Sequence, residues 1–207
     1  NDNLEYLCYH HEQSAGYAAI GEARLTHSWA ILNPTTGCGG TNAITPLLAA
    51  WQDSIPLVVI SGNVERSTMS EYIEKTSGVV LRSYGVQENN IIKCVTPITK
   101  YAKSLFELED IEQTLFEAFC LAMEDRRGPV WIDIPADIQR QLVSDKLVAG
   151  IGPLVAAVTD RISARIALNS RNKKVVVDMR DCFIKYKRPL LLVGGGANSS
   201  FETKECV

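Results

Sequence analysis

Several features are scarce in this 207-residue sequence, and each scarcity excludes a class of protein. Lysine and arginine number 21 against 24 acidic residues, for a net charge of −3, so no basic excess indicates nucleic-acid binding. Long apolar runs are also missing. The longest, at 57–60 and 190–193, have the length of buried strands rather than membrane spans. We therefore expect neither a nucleic-acid partner nor a membrane partner.

Paired cysteines and clustered histidines are missing as well. The six cysteines are scattered without a Cys-x-x-Cys pair, and we expect no signal sequence at the start of the chain. Reduced thiols in a cytoplasmic protein are the simplest expectation. Of the three histidines, His10 and His11 are adjacent and would point to opposite faces of a strand. We expect no metal site built from these residues alone.

What is present is an ordinary globular composition, with 46% hydrophobic and 22% charged residues. The length suits one α/β domain and part of another. Continuous apolar segments are typical of parallel strands covered on both faces. They predict an open parallel sheet flanked by helices, with strands at 4–9, 29–32, 57–61 and 129–134 and a shorter one after 96–103.

Glu12 stands between the first predicted strand and the first predicted helix. Ser14 is expected to cap that helix, which would run to about Leu25. The carboxyl ends of strands are where ligands bind in open α/β sheets. A carboxylate there can be partly desolvated, which raises its pKa. The alternative, that Glu12 only caps its helix or faces water, stays open from spacing alone.

The segment 33–40 is a Pro/Gly loop that follows the second predicted strand. Gly37, Gly39 and Gly40 would let the backbone approach a ligand or a partner closely, or would simply form a tight turn. Thr41 and Asn42 lead into a helix that ends near residue 52. Farther on, 62–78 is predicted as a polar loop that covers the surface, the alternative being that it lines the substrate entrance.

Later segments are predicted to build the core and close the domain. A helix at about 109–124 has apolar residues at four-residue steps, which indicates a core stripe of Ile111, Leu115, Phe119 and Met123. Asp133 and Asp137, on either side of Pro135, are expected to fix a turn rather than to catalyse.

Five segments, in order, resemble the pyrimidine-binding domain of thiamine diphosphate enzymes, in the acetolactate synthase-like branch. The resemblance covers about residues 4–140, and its motifs lie at 10–24, 33–42, 53–62, 97–101 and 127–135. It implies a thiamine diphosphate cofactor and a small 2-oxo acid substrate that is decarboxylated or ligated. It also implies one catalytic residue, Glu12, which would hydrogen-bond the aminopyrimidine. The cofactor-binding residues that it implies are Glu12, Thr36, Gly37, Cys38, Gly39, Asn42 and Gln87.

The same resemblance implies a domain division. Residues 1–138 would be the pyrimidine-binding domain without its N-terminal part, 139–152 a linker, and 153–207 the truncated start of a central domain. That start includes a strand and Gly-rich turn at 189–197. A dinucleotide loop is the weaker interpretation of this turn, because Ser199 occupies the third glycine position.

The sequence departs from the family pattern in two ways. Cys38, Val86 and Ala136 stand where acetolactate synthases have Pro, Phe and Lys, which argues against true branched-chain synthesis and leaves other 2-oxo acids open. No Gly-Asp-Gly motif occurs, so Mg²⁺ and the diphosphate would be bound by a domain absent from this chain. The resemblance implies a second subunit in a dimer or tetramer. The alternative is a non-catalytic or half-site relative that binds a partner chain carrying the diphosphate domain.

Overall fold

A parallel four-stranded sheet forms the centre of the computed structural model, which describes residues 5–169 and 180–190. The strands run in the order β1-β2-β4-β3, and all three neighbouring pairs are parallel. Their bounds are β1 Ala30–Leu32, β2 Leu57–Asn63, β3 Tyr101–Ser104 and β4 Val130–Pro135. The predicted class, a parallel sheet flanked by helices, is confirmed.

Among the described residues, eight α-helices and three single 3₁₀ turns also have assigned bounds. The helices are α1 Glu12–Thr26, α2 Cys38–Asn42, α3 Ile44–Gln52, α4 Ser70–Ser77, α5 Ile91–Val95, α6 Ile111–Met123, α7 Ala136–Gln139 and α8 Asp145–Asn169. The 3₁₀ turns are Arg66–Thr68, Thr96–Ile98 and Leu108–Asp110.

The two central strands are buried on both faces because helices cover each side of the sheet. Successive side chains of a strand alternate between faces. Leu57, Val59 and Trp131 pack with α1, α3 and α5, whereas Val58 and Val130 pack with α6. Removing continuous apolar strands from water is the main stabilising contribution expected for such a layered domain.

Helices α1 and α3 approach each other at Gly16. A Cβ atom at that position would lie 2.4 Å from Cγ of Pro46, inside the contact distance of real side chains. The missing side chain therefore allows the pyrrolidine ring to pack directly on the α1 backbone. This contact holds the two helices together on one face of the sheet.

Two local predictions near the chain start are wrong. Residues 5–9 form no strand and are exposed, because an apolar segment becomes a strand only when a partner strand completes its hydrogen bonds. Ser14 does not cap α1, which begins two residues earlier at Glu12 with His11 at the N-cap position. Glu12 therefore follows a segment without regular secondary structure rather than a strand.

The segment 62–78 is also more ordered than the predicted surface loop. Strand β2 continues through Asn63, a 3₁₀ turn follows, and α4 occupies Ser70–Ser77. Helix α4 ends at Gly78 in the left-handed conformation, with φ of 73°. Glu88, from the following turn, accepts hydrogen bonds from the backbone and hydroxyl of Ser70 at 3.3 and 2.7 Å.

Helix α6 matches its predicted range within two residues, but its core face is different. The fully buried positions are Thr114, Ala118, Cys120 and Ala122, whereas the four residues of the predicted stripe are partly buried. Small side chains are the buried ones because α6 lies between the sheet and α8.

Helix α8 starts inside the segment predicted as a linker. Its stretch Asp145–Ala164 is long and apolar enough to span a membrane by length and composition, although the sequence predicted no span. Its Val158 and Ile162 pack against Cys120 of α6, whereas only 12% of the apolar stretch is buried. The prediction of a strand and a Gly-rich turn at 189–197 falls on residues that, from 191 onward, lie outside the described part of the chain.

Candidate functional site

The start of α1 and the short helix α2 form the walls of an open cavity of about 510 Å³. Its lining residues are Glu12, Cys38, Gly39, Thr41 and Asn42. Four of these were predicted as site residues, and Thr41 was not. They meet because α2 follows β1 at the carboxyl edge of the sheet, where ligands of α/β proteins bind.

The carboxylate of Glu12 faces this cavity with its two oxygens in different surroundings. Asn42 donates from Nδ2 to Oε2 at 2.8 Å. The other oxygen, Oε1, lies 3.0 Å from the point where a Cβ atom of Gly39 would stand. The absence of a side chain at position 39 therefore leaves the space beside Oε1 open.

The pKa of Glu12 is lowered, contrary to the sequence expectation. The hydrogen bond from Asn42 is the largest cause, a backbone hydrogen bond at the helix start adds to it, and the opposing effect of burial is smaller. In this chain the carboxylate is part-exposed and accepts two kinds of hydrogen bond, both of which favour its charged form.

A cluster of side chains surrounds the Asn42 amide. Gln13 donates from Nε2 to Asn42 Oδ1 at 2.8 Å, and its Nε2 lies 3.4 Å from Thr45 Oγ1. The Nε2 atom of His11 lies 3.3 Å from Asn42 Nδ2. Sequence reasoning did not select Gln13 or His11. Their only sequence signal was their position on either side of Glu12.

The remaining predicted residues form a second group beside the cavity. Gly37 has φ of 61°, and a Cβ atom there would lie 2.3 Å from the carbonyl oxygen of Gln87. Gln87 is itself left-handed, with φ of 60°, which is uncommon for a residue with a side chain. Thr36 directs its hydroxyl towards Asn63 Oδ1 at 3.5 Å. Thr36, Gly37 and Gln87 do not line the cavity itself.

Asn63 joins the two turns of this second group to the sheet. Its Nδ2 donates to Asp133 Oδ2 at 2.6 Å and to the carbonyl of Asn89 at 3.2 Å. Its Oδ1 accepts from the backbone of Val64 at 2.9 Å and faces Thr36. Asn63 is buried, and it was not among the predicted site residues.

Asp133 is a buried carboxyl group beneath this arrangement. Burial raises its pKa to about 6, while hydrogen bonds from Ser61 and Asn63 oppose the rise. Trp131 donates to Ser61 Oγ at 2.8 Å, and Ser61 Oγ donates to Asp133 Oδ1 at 2.5 Å. Asp137 instead pairs with Arg66, whose Nε lies 2.6 Å from Asp137 Oδ2. Asp133 therefore lies inside β4, bonded to side chains of β2, and not at a turn as expected. Asp137 does hold local backbone, since it accepts a hydrogen bond from the N–H of Arg66 at 3.1 Å.

No group of three or more His, Cys, Asp or Glu residues with the geometry of a metal site occurs within residues 5–169 and 180–190. The five cysteines in those ranges are free thiols, and Cys38 is exposed at the cavity.

Residues 1–90 match the family described as thiamine pyrophosphate enzyme, N-terminal TPP binding domain. The chain is 32% identical over 194 residues to the acetolactate synthase isozyme 3 large subunit of Escherichia coli, covering 94% of this chain and 30% of that protein. It is 34% identical to the isozyme 2 large subunit of the same organism, with 93% and 31% covered.

A chloroplastic relative and a solved structure are also similar to this chain. Acetolactate synthase 2 of Nicotiana tabacum is 32% identical, over 93% of this chain and 26% of that protein. A putative thiamin diphosphate-dependent enzyme from Mycobacterium smegmatis superposes with a TM-score of 0.57 at 25% identity, covering 67% of this chain and 24% of the other. The predicted family resemblance is confirmed. The chain spans about a third or less of the length of these relatives.

Proposed function

We propose that this acetolactate synthase-like chain of the thiamine pyrophosphate enzyme family forms the aminopyrimidine-binding half of a thiamine diphosphate site. The observation that supports this most is the Glu12 carboxylate, which has one oxygen held by Asn42 and the other beside the open space at Gly39. A heterocycle that needs a proton-sharing partner fits against such an oxygen.

The residues that line the cavity suit thiamine diphosphate. When bound, thiamine diphosphate supplies the carbon nucleophile for decarboxylation or ligation of a 2-oxo acid. Glu12 would hold a proton at Oε1 against the pyrimidine ring, and Gly39 would leave room for that ring. Exclusion of water from the cavity would weaken the charged form of Glu12 and bring its pKa nearer to the range useful for proton exchange.

The diphosphate would be held elsewhere. No Gly-Asp-Gly motif occurs in the sequence, so we assign the binding of diphosphate and Mg²⁺ to another domain or subunit that faces this cavity. Residues 1–138 would then be the pyrimidine-binding domain, joined by 139–152 to the start of a central domain. We place the complete enzyme in the cytoplasm as a dimer or tetramer that acts on a small 2-oxo acid.

A calorimetric titration of the 207-residue chain with thiamine diphosphate and Mg²⁺ tests the proposal. We expect saturable binding and a matching rise in melting temperature. Glu12→Gln should weaken both, because an amide cannot take up and release the proton that Oε1 would share with the pyrimidine ring. Glu22→Gln, an exposed change on the same helix, is the matched control and should bind like the parent chain.

The outcomes separate the alternatives. Equal binding by the parent chain and by Glu12→Gln would remove Glu12 from the site. If the parent chain binds nothing alone, the half-site alternative is favoured. Binding should then appear only when a chain carrying a diphosphate domain is added.

A further inference from the structure

The orientation of the Asn42 amide determines what the Glu12 carboxylate meets. An asparagine side chain has one accepting end and one donating end. The accepting end, Oδ1, receives the hydrogen bond from Gln13 Nε2 at 2.8 Å, and the donating end, Nδ2, lies 2.8 Å from Glu12 Oε2. Reversing the amide would set two oxygens against each other at Glu12 and two donors against each other at Gln13.

We propose that Gln13 is a positioning residue, which acts through Asn42 to tie Oε2 of Glu12 and leave Oε1 as the oxygen available to a ligand. The inference rests on the proposed function, in which Glu12 is the carboxyl group that exchanges a proton. Gln13 itself does not line the cavity, so its action on Glu12 passes through the Asn42 amide.

The neighbouring groups agree with this orientation. His11 Nε2 lies 3.3 Å from Asn42 Nδ2, where a neutral imidazole accepts a hydrogen bond from the amide. Thr45 Oγ1, at 3.4 Å from Gln13 Nε2, supports the glutamine from α3. The Glu12–Asn42 bond is also the largest cause of the lowered pKa of Glu12, and His11 contributes to the same shift.

The test measures the pKa of Glu12 by ¹³C NMR titration of the ligand-free chain. Asn42→Ala removes the donor and should raise this pKa. Gln13→Met removes the hydrogen bond that orients the amide and should raise the pKa in the same direction. The double variant should show little more than Asn42→Ala alone, because both changes break one connection. Ser14→Ala, next in sequence and exposed, is the matched control and should leave the pKa unchanged.

A loss of packing alone would not give this non-additive pattern. The proposal is overturned if Gln13→Met leaves the Glu12 pKa at its parent value while Asn42→Ala raises it, or if the two shifts simply add. Should Gln13→Met fail to fold, Gln13→Ala gives the same comparison. Because no cofactor is present, this result is independent of the calorimetric titration. Failure to bind thiamine diphosphate even after a chain carrying a diphosphate domain is added would contradict the proposed function and leave the pKa coupling standing.

Discussion

The Nδ2 atom of Asn42 donates to Oε2 of Glu12 across 2.8 Å, although thirty positions separate the two residues in the chain. The bond joins the first residue of α1 to the last residue of α2. Two helix ends from different parts of the sequence are thereby fixed around one carboxylate, and the expected effects of substitution follow from that geometry.

Gly39→Ala should weaken ligand binding at the cavity more than it weakens the fold. The added methyl group would stand 3.0 Å from Glu12 Oε1 and 2.5 Å from Thr35 Cγ2, so it fills the space beside the free carboxylate oxygen. We expect loss of the calorimetric signal for thiamine diphosphate. Gly21→Ala, at a helical glycine with nothing within 4 Å, should bind normally and gain about 0.5–1 kcal/mol of stability. Unchanged binding in Gly39→Ala would show that Oε1 is not the contact atom.

Gly37→Ala should be strongly destabilising. Its φ of 61° disfavours a side chain, and the Cβ atom would collide with the carbonyl oxygen of Gln87 at 2.3 Å. Gly78→Ala is the matched control, because its φ of 73° imposes similar strain with open space around it. We expect a loss of about 1 kcal/mol at Gly78 and of about 3 kcal/mol or more at Gly37, measured by urea unfolding. Equal losses of unfolding free energy in the two variants would mean that the turn containing Gln87 shifts at little cost to make room for the added Cβ atom.

Asn63→Ala should loosen both turns beside the cavity. The change removes the hydrogen bonds to Asp133 and to the carbonyl of Asn89, and it leaves a buried carboxyl group with fewer donors. We expect a loss of about 2–3 kcal/mol of unfolding free energy and faster amide exchange at Thr41 and Glu88, whose N–H groups bond to Gly37 and Gly85 within the two turns. The control is Asn90→Ala, which removes only the N-cap bond of α5 and should cost about 1 kcal/mol without altering exchange at those two residues. Unaltered exchange in Asn63→Ala would contradict this role.

Asp133 should make the fold less stable as the pH rises from about 4 to about 6. Its pKa is raised from 3.8 to about 6 in the folded chain, so the folded state binds more protons than the unfolded state in that interval. The contribution of Asp133 to the free energy of unfolding is full below pH 4 and lost above pH 6. A pKa shift of this size is worth on the order of 3 kcal/mol. Other carboxylates, such as Glu12 and Asp137, have lowered pKa values and act in the opposite direction.

Comparison with Asp133→Asn isolates that contribution. The difference in unfolding free energy between the parent chain and the variant should fall as the pH rises through this interval and then level off. A difference that does not vary with pH would place the pKa of Asp133 near its ordinary value.

The sequence predicted a strand of the sheet well wherever a continuous apolar run marked it. The runs that became β1, β2 and β4 are each continuous, and burial between two helical layers requires little else of a parallel strand. Residues 5–9 have a similar composition and form no strand, because a strand also needs a neighbour with free backbone groups. Whether such a neighbouring strand is available depends on the rest of the fold, and the local sequence pattern does not contain that information.

The site was predicted in composition but not in geometry. The motif resemblance selected Glu12 and Asn42, yet it could not show that they bond to each other and so lower the pKa of Glu12. Asp133 was placed at a turn, whereas strand register sets it directly beside Ser61 inside the sheet. Two sequence signals could have predicted helix α4. Gly78 is a typical helix terminator, and Glu71 and Lys75 have the i, i+4 spacing of oppositely charged residues on one helix face.

The contact of Gly16 with the ring of Pro46 has an evolutionary consequence. A larger residue at position 16 is tolerated only after position 46 has lost its ring, so the two sites should show strong epistasis. A scan of single substitutions would score position 16 as intolerant in the parent background. In a library that changes both positions together, accepted pairs should appear in which the volume lost at 46 matches the volume gained at 16.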